Sequence, residues 1–380
     1  MKILTVIGAR PQIIKAAALS RAIRTHYSSL IEETILHTGQ HYDENMSNVF
    51  FYELGIPQPD INLNIGSGSH GVQTARMTEG IEQALLSEKP DAVVLYGDTN
   101  STLSGAIAAS KVHIPVIHIE AGLRSFNKNM PEEINRIVCD HCSTLLFTPT
   151  PSGLKNLLNE GFSDQIKAPF TIDHPGIFLS RDIMYDNSLY FSKLAEQKNE
   201  LLNHLNIANK EFILCTIHRD NNTDNPERLN SIFKAIFEIT EKHQVHVVLP
   251  LHPRTAKMLP INLDTKLYQQ IQKSDQIIIV PPVSFLEMIL LEKHCSLIIT
   301  DSGGVQKEAY FFQKPCLILR PETEWNEIVE HGCAMITDAN YQNILNKFKF
   351  YAENRPINYP SLFGNGHAAE EICRIILQSI

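Results

Sequence analysis

Short apolar runs, each closed by glycine, proline or a polar residue, alternate with amphipathic stretches along nearly the whole chain of 380 residues. "KILTVIG" (2–8), "ETILHTG" (33–39), "DAVVLYG" (91–97), "IPVIHIE" (114–120) and "STLLFTP" (143–149) read as buried strands. "PQIIKAAALSRAIR" (11–24) reads as a helix with proline in its first turn. This βαβ rhythm confines the chain to parallel sheets with helices on both faces. The stretch "GFSDQIKAPFTIDHPGIFLSRD" (161–182) breaks the rhythm and reads as a domain junction. It resumes with "EFILCTIH" (211–218), "VHVVLPLH" (245–252), "DQIIIVPP" (275–282), "CSLIITD" (295–301) and "KPCLILR" (314–320).

The pattern implies an α/β chain of two Rossmann-like, doubly wound domains facing a cleft. Residues 1–168, completed by a final helix at 367–380, would form the first, and residues 175–362 the second. The length is that of two domains rather than one. Ligands of such sheets bind beyond the carboxyl ends of the strands, so the residues there carry the chemistry.

Composition removes several classes. A formal net charge of -9 argues against a general nucleic-acid binder, which needs a basic face. No apolar run approaches the ~18 residues of a membrane span, and the apolar start is too short for a signal segment, so a cytoplasmic location is expected. The seven cysteines are odd in number and scattered, as suits reduced thiols. Cys139 and Cys142 have C-x-x-C spacing without a second pair, so they read as small helix residues and no metal is expected. Neither G-x-G-x-x-G nor a Walker sequence occurs, which disfavours dinucleotide or P-loop chemistry; no cofactor is expected.

Strand ends hold the candidate residues. In "ITDSGGVQKEA" (299–309), Asp301, Ser302, Gly303 and Gly304 lie where a strand gives way to a helix. Free N–H groups and the helix dipole favour an anion there, typically phosphate, although Asp301 or Ser302 could simply cap the helix. About one turn on, Glu308 could accept hydrogen bonds from the vicinal hydroxyls of a ribose. "GARPQIIK" (8–15) puts Arg10 and Lys15 around the first helix start, a planar fork and a point charge for phosphate oxygens. Asp98 follows one strand, Glu120 the next, and Glu132, Glu133 and Arg136 open a helix. Asp98 could be an N-cap and the glutamate pair could answer the helix dipole, but Glu120 has no such role. Together the carboxylates suggest proton transfer. His218 and Arg219 end a strand of the second half, and His252 and Arg254 end the next.

In this order, "GARPQIIK", "HTGQHYDENM", "YGDTNST", "HIEAGLRS", "MPEEINR", "TIHR", "DSGGVQKEA" and "RPETEW" resemble the non-hydrolysing UDP-N-acetylglucosamine 2-epimerase family over nearly the whole chain. The resemblance implies a GT-B-like fold, a UDP-sugar substrate and a homodimer. It implies elimination of UDP across C1–C2 of an N-acetylhexosamine, then re-addition after inversion at C2, taking UDP-GlcNAc to UDP-ManNAc. By position it assigns Asp98, Glu120 and Glu132 as catalytic carboxylates, with His218 beside the leaving group. It assigns Arg10, Lys15, Arg136, Arg219, Ser302, Gly303 and Gly304 to the nucleotide phosphates and substrate, Glu308 to the ribose, and Phe285 in "PPVSFLEM" (281–288) to the uracil pocket.

Three positions depart from the family pattern: Gln12 where glutamate is common, Trp325 in place of an arginine, and Tyr42 where an allosteric site usually has arginine. The stretches "GDTNSTL" (97–103), "MPEEINR" (130–136), "IMYDN" (183–187) and "TEW" (323–325) look closer to the branch acting on UDP-2,3-diacetamido-2,3-dideoxyglucuronate. Trp325 is expected to face the cleft and lay its indole on the sugar. The competing class is a GT-B glycosyltransferase, which shares the fold but needs an acceptor site; a nucleotide-sugar binder without catalysis would lack the carboxylates.

Overall fold

β-Branched and leucine-rich runs become strands that are buried on both faces, which is why they read as continuous apolar segments rather than alternating ones. The computed structural model describes residues 1–39, 51, 55–198, 200–356 and 358–380. Tyr42, with most of the "HTGQHYDENM" motif, lies outside the described residues.

Two compact units divide the chain: residues 1–187 with 361–380, and residues 188–360. In the first, β1 (Lys2–Ile7), β2 (Glu32–His37), β3 (Ile61–Asn62), β4 (Ala92–Tyr96), β5 (Val116–Ile119), β6 (Leu145–Thr148) and β7 (Gly176–Leu179) form one sheet in the order β3-β2-β1-β4-β5-β6-β7. All its pairs are parallel; Ile7 lies opposite His37, and Thr5 opposite Val94. In the second, β8 (Phe212–Thr216), β9 (His246–Pro250), β10 (Ile277–Val280), β11 (Leu297–Thr300), β12 (Cys316–Ile318) and β13 (Ala334–Ile336) run parallel in the order β10-β9-β8-β11-β12-β13. Both orders are those of doubly wound, Rossmann-like sheets, and two such units in succession make the chain GT-B-like.

The order reverses between β1 and β4 in one sheet and between β8 and β11 in the other. Crossovers leave these strand pairs in opposite directions, which opens a crevice at their carboxyl ends. Behind the first, Leu4, Val6, Val93 and Leu95 pack against Met77, Ile81 and Leu85 of the helix His70–Glu88. Each such buried side chain contributes roughly 1.5–3 kcal/mol.

The first unit runs further along the chain than the rhythm break at 161–182 suggested. Residues 176–179 form the edge strand β7, paired with β6 from Leu145↔Gly176 to Thr148↔Leu179. A Cβ at Gly176 would lie 2.9 Å from ring atoms of both Phe170 and Phe178, so glycine there admits close aromatic packing. That proline- and glycine-bracketed segment carries the composition of a loop, which hides the strand. The helix Ala368–Ser379 also belongs to the first unit: the Ala369 N–H donates to Asp186 at 2.7 Å, and the Tyr27 hydroxyl donates to the Glu370 carbonyl at 3.2 Å.

Candidate active site

The first crevice is built around Gly8 and Gly97. A Cβ on Gly8 would collide with the hydroxyls of Ser101 and Thr38, so no other residue fits without displacement. Gln12 accepts from the Gly8 and Ala9 N–H groups at 2.9 and 3.1 Å through Oε1. Its Nε2 donates to the Tyr96 carbonyl and the Thr102 hydroxyl, each at 3.0 Å. The carboxamide therefore ties the turn after β1 to the end of β4, using a donor that a glutamate side chain lacks when ionised.

Gly97, at φ +62°, opens the space in which Lys15 and Glu120 form an ion pair. A Cβ there would lie 3.0 Å from Lys15 Nζ and 3.2 Å from Glu120 Oε2. Glu120 itself sits in the left-handed region at φ 75°, which costs a non-glycine residue about 1 kcal/mol or more. Arg10, at the start of the helix Arg10–Ala22, is exposed.

Asp98 is not a cap; Thr99 is, accepting from the Thr102 N–H. The Asp98 carboxylate pairs instead with Arg136, whose other nitrogen donates to Glu133 at 2.7 Å. Burial disfavours that guanidinium, but Asp98 and then Glu133 outweigh it and raise its pKa. Glu133 is buried and accepts from the Ser125 N–H, the Ser125 hydroxyl and the Phe126 N–H at 2.9, 3.0 and 2.9 Å. The adjacent glutamates thus divide: Glu133 shapes a loop, while Glu132 is exposed and forms no hydrogen bond or ion pair with the described residues.

Sequence reasoning missed the support beneath this crevice. His118 is wholly buried, with Nε2 2.8 Å from the Gly97 carbonyl and Nδ1 2.7 Å from Asp140. Both neighbours accept, so both ring nitrogens donate and the imidazole is charged. Burial opposes the charge, yet the pKa is raised well above 6.5. Asp140 also accepts from the Gly122 N–H at 3.1 Å and from Arg124 at 2.7 Å, and Arg124 grips Glu160 at 2.7 Å. The one signal was a histidine inside an otherwise apolar strand.

At the second crevice, Asp301 is the organiser. It is fully buried and accepts from the N–H groups of His218 and Arg219 at 3.1 Å and from Asn222 Nδ2 at 3.0 Å, with His218 Nδ1 also at 3.1 Å. Burial works against its charge, but these donors hold its pKa below the ordinary value. Asp301 therefore fixes the 218–222 turn, and Ser302 is the N-cap, accepting from the Val305 N–H. The helix Gly303–Phe311 starts there, with Glu308 partly exposed about one turn along. Phe285 opens the helix Phe285–His294 and meets Phe191 edge-on at 5.3 Å. The His252 ring lies 5.6 Å from that of His218, while Arg254 is engaged with Asp224.

Residues 23–377 match the family model described as UDP-N-acetylglucosamine 2-epimerase. The chain belongs to the UDP-N-acetylglucosamine 2-epimerase family. It is an isomerase of that type, which sets aside the glycosyltransferase and the non-catalytic binder. A UDP-N-acetylglucosamine 2-epimerase homolog of Methanococcus maripaludis is 48% identical over 378 residues, with 99% of each chain covered. The UDP-2,3-diacetamido-2,3-dideoxy-D-glucuronate 2-epimerase of Pseudomonas aeruginosa is 45% identical, again over 99% of each. The crystal structure of Methanocaldococcus jannaschii UDP-GlcNAc 2-epimerase in complex with UDP-GlcNAc and UDP has a TM-score of 0.85 at 42% identity, covering 100% of both chains.

In this epimerase-family chain Trp325 differs from the sugar-facing indole that the sequence suggested. It is only 6% exposed, its Nε1 donates to the Gly303 carbonyl at 2.9 Å, and the Lys307 ammonium lies 4.3 Å from its ring centroid. The indole braces the first turn of the Gly303 helix, and its polar donor is spent there. Beside it Arg320 grips Glu324 through two bonds of 2.9 Å. Among the described residues no cluster of three or more His, Cys, Asp or Glu could hold a metal ion, and no helix is long and apolar enough to cross a membrane.

Proposed function

We propose that this epimerase inverts C2 of a UDP-N-acetylhexosamine, taking UDP-GlcNAc to UDP-ManNAc through a 2-acetamidoglucal. One observation carries the reading: in each unit the candidate residues gather where the strand order reverses, carboxylates with cations in the first, a glycine-rich helix start with His218 and Arg219 in the second. The second unit takes the UDP. The Gly303 and Gly304 N–H groups, with the helix dipole, receive the diphosphate. His218 and Arg219 stand on the Asp301-fixed turn and stabilise the charge that grows as the C1–O bond breaks, the electrostatic role that usually contributes most. Glu308 accepts from the ribose hydroxyls, and Phe285 walls the uracil.

The first unit handles the sugar. The C2 proton of an N-acetylhexosamine is not acidic until the C1–O bond stretches and positive charge grows at C1. A carboxylate among Asp98, Glu120 and Glu132 then removes it, the C2–H electron pair becomes the C1=C2 bond, and the C1–O pair leaves with UDP. A second carboxylate returns a proton to the opposite face of C2 as UDP re-adds at C1. Arg10, Lys15 and Arg136 hold the anionic groups in place.

A second reading keeps the same chemistry on UDP-2,3-diacetamido-2,3-dideoxyglucuronate. The Pseudomonas aeruginosa relative at 45% identity favours it as much as the Methanocaldococcus jannaschii structure at 42% favours UDP-GlcNAc. Incubating the enzyme alone with each UDP-sugar and resolving the products by NMR decides between them. A C2 epimer mixture from UDP-GlcNAc supports the first reading; epimerisation of only the diacetamido uronate supports the second. Conversion of neither without an acceptor contradicts both.

A further inference from the structure

The second unit contains a carboxyl group that the proposed chemistry leaves unused. Glu292 lies in the helix Phe285–His294, which also buries Leu286, Ile289, Leu290 and Leu291, and is 0% exposed. Neither carboxyl oxygen reaches solvent, and among the described residues no backbone N–H or cation is placed to hold it as an anion. The polar group beside it is Glu308, from the helix Gly303–Phe311.

A lone buried carboxylate is costly, and a second carboxylate next to it makes both charges harder to keep. Burial first, and the neighbouring Glu308 second, push the Glu292 pKa well above its ordinary value. Glu308, by contrast, is partly exposed. In the neutral state Glu292 has one O–H donor, and Glu308 is the acceptor within reach.

We propose that Glu292 is a positioning residue: a neutral carboxylic acid that donates a hydrogen bond to the Glu308 carboxylate and fixes it for recognition of the ribose 2′- and 3′-hydroxyls. This rests on the reading that Glu308 binds the ribose. The pair then carries one negative charge. One lone pair of Glu308 is occupied from the protein interior, and that bond orients the carboxylate for the two hydroxyls. Selectivity for ribonucleotides over deoxyribonucleotides follows from that orientation.

The test is calorimetric titration of UDP and 2′-deoxy-UDP into the wild-type chain, Glu292→Gln, Glu292→Leu and Glu308→Gln. Gln keeps a donor, so Glu292→Gln should retain the preference for UDP; Glu292→Leu has none and should reduce that preference by about tenfold, the scale of one charge-assisted hydrogen bond. Glu308→Gln should reduce it as well. If Glu292→Leu keeps the full preference while Glu308→Gln loses it, the role of Glu292 is overturned and the ribose reading stands. If Glu308→Gln keeps the preference, the ribose reading itself falls. An infrared difference spectrum of wild type minus Glu292→Gln at neutral pH requires no apolar variant to fold. It should contain the carbonyl stretch of a protonated carboxylic acid, and a carboxylate band in its place would overturn the proposal.

Discussion

Lys15 and Glu120 form an ion pair against Gly97, where the strand order of the first sheet reverses. Each side chain is 12% exposed, so each holds the other's charge in a partly desolvated place. Asp98 and Arg136 repeat the arrangement one residue further along the turn. Carboxylates held in this way are fixed in position before substrate arrives, which is what proton transfer at a defined carbon requires.

Glu120→Gln and Asp98→Asn should each lower turnover by about 100-fold or more, the scale of acid–base catalysis, with little change in thermal stability. Glu132→Gln should do the same even though its side chain is exposed, because its proposed role lies with substrate. Steady-state rates with a UDP-sugar check this. A Glu120→Gln variant with near-normal turnover would remove the residue from the chemistry, and its left-handed backbone would need another explanation.

Gly97→Ala tests the space that the ion pair occupies. A methyl group would meet Lys15 Nζ at 3.0 Å and Glu120 at 3.2 Å, on a backbone at φ +62°. The conformation alone should lower stability by about 1–2 kcal/mol in urea denaturation. Turnover should fall further than stability explains, because the pair must move. Unchanged turnover would mean that its placement is not critical.

Asp186 gives the first unit a dependence on pH. Burial first, then Asp182, raise its pKa from 3.8 to about 6, against the pull of the Ala369 N–H. A carboxyl with a higher pKa folded than unfolded binds more protons in the folded state between those two values. Stability therefore falls as pH rises through that window, by roughly 2–3 kcal/mol, and stays reduced above it. Asp186→Asn keeps an acceptor for the Ala369 N–H and has no proton to lose. The difference in stability between variant and wild type should swing toward the variant from pH 4 to pH 6 and then level off. A difference that is constant with pH would contradict the assignment.

Trp325→Phe keeps the aromatic face and deletes the donor to the Gly303 carbonyl. UDP affinity should fall by about threefold to tenfold, the value of one hydrogen bond, while the ranking of UDP-sugars is unchanged. Because the indole braces the turn proposed to receive the diphosphate, UDP alone should alter its fluorescence saturably. A response to UDP-sugars but not to UDP would restore a direct contact with the sugar.

Much of this organisation was legible in the sequence because parallel strands are buried on both faces and stand out as apolar runs. The strand ends could then be read off, and with them Asp98, Glu120, His218 and Ser302. The edge strands β7 and β13 were hidden: one follows Pro175 and begins on Gly176, the other is three residues long. The supporting residues were hidden for a different reason. His118 and Asp140 are 22 positions apart, as are Gly303 and Trp325, and only the folded chain pairs them. By sequence either Asp301 or Ser302 could cap its helix, because neighbouring oxygens in a turn cannot be told apart without their donors; Ser302 takes the cap.

Inversion by elimination requires that the hydrogen at C2 be exchanged with solvent. The epimerisation is run in heavy water with a UDP-sugar that the enzyme accepts, and the product is analysed by NMR and mass spectrometry. The product should contain one solvent deuteron at C2, with a trace of the unsaturated 2-acetamido sugar and free UDP. Product that retains its original hydrogen at C2, with no deuterium after full inversion, would contradict proton removal by Asp98, Glu120 or Glu132 and the elimination with it.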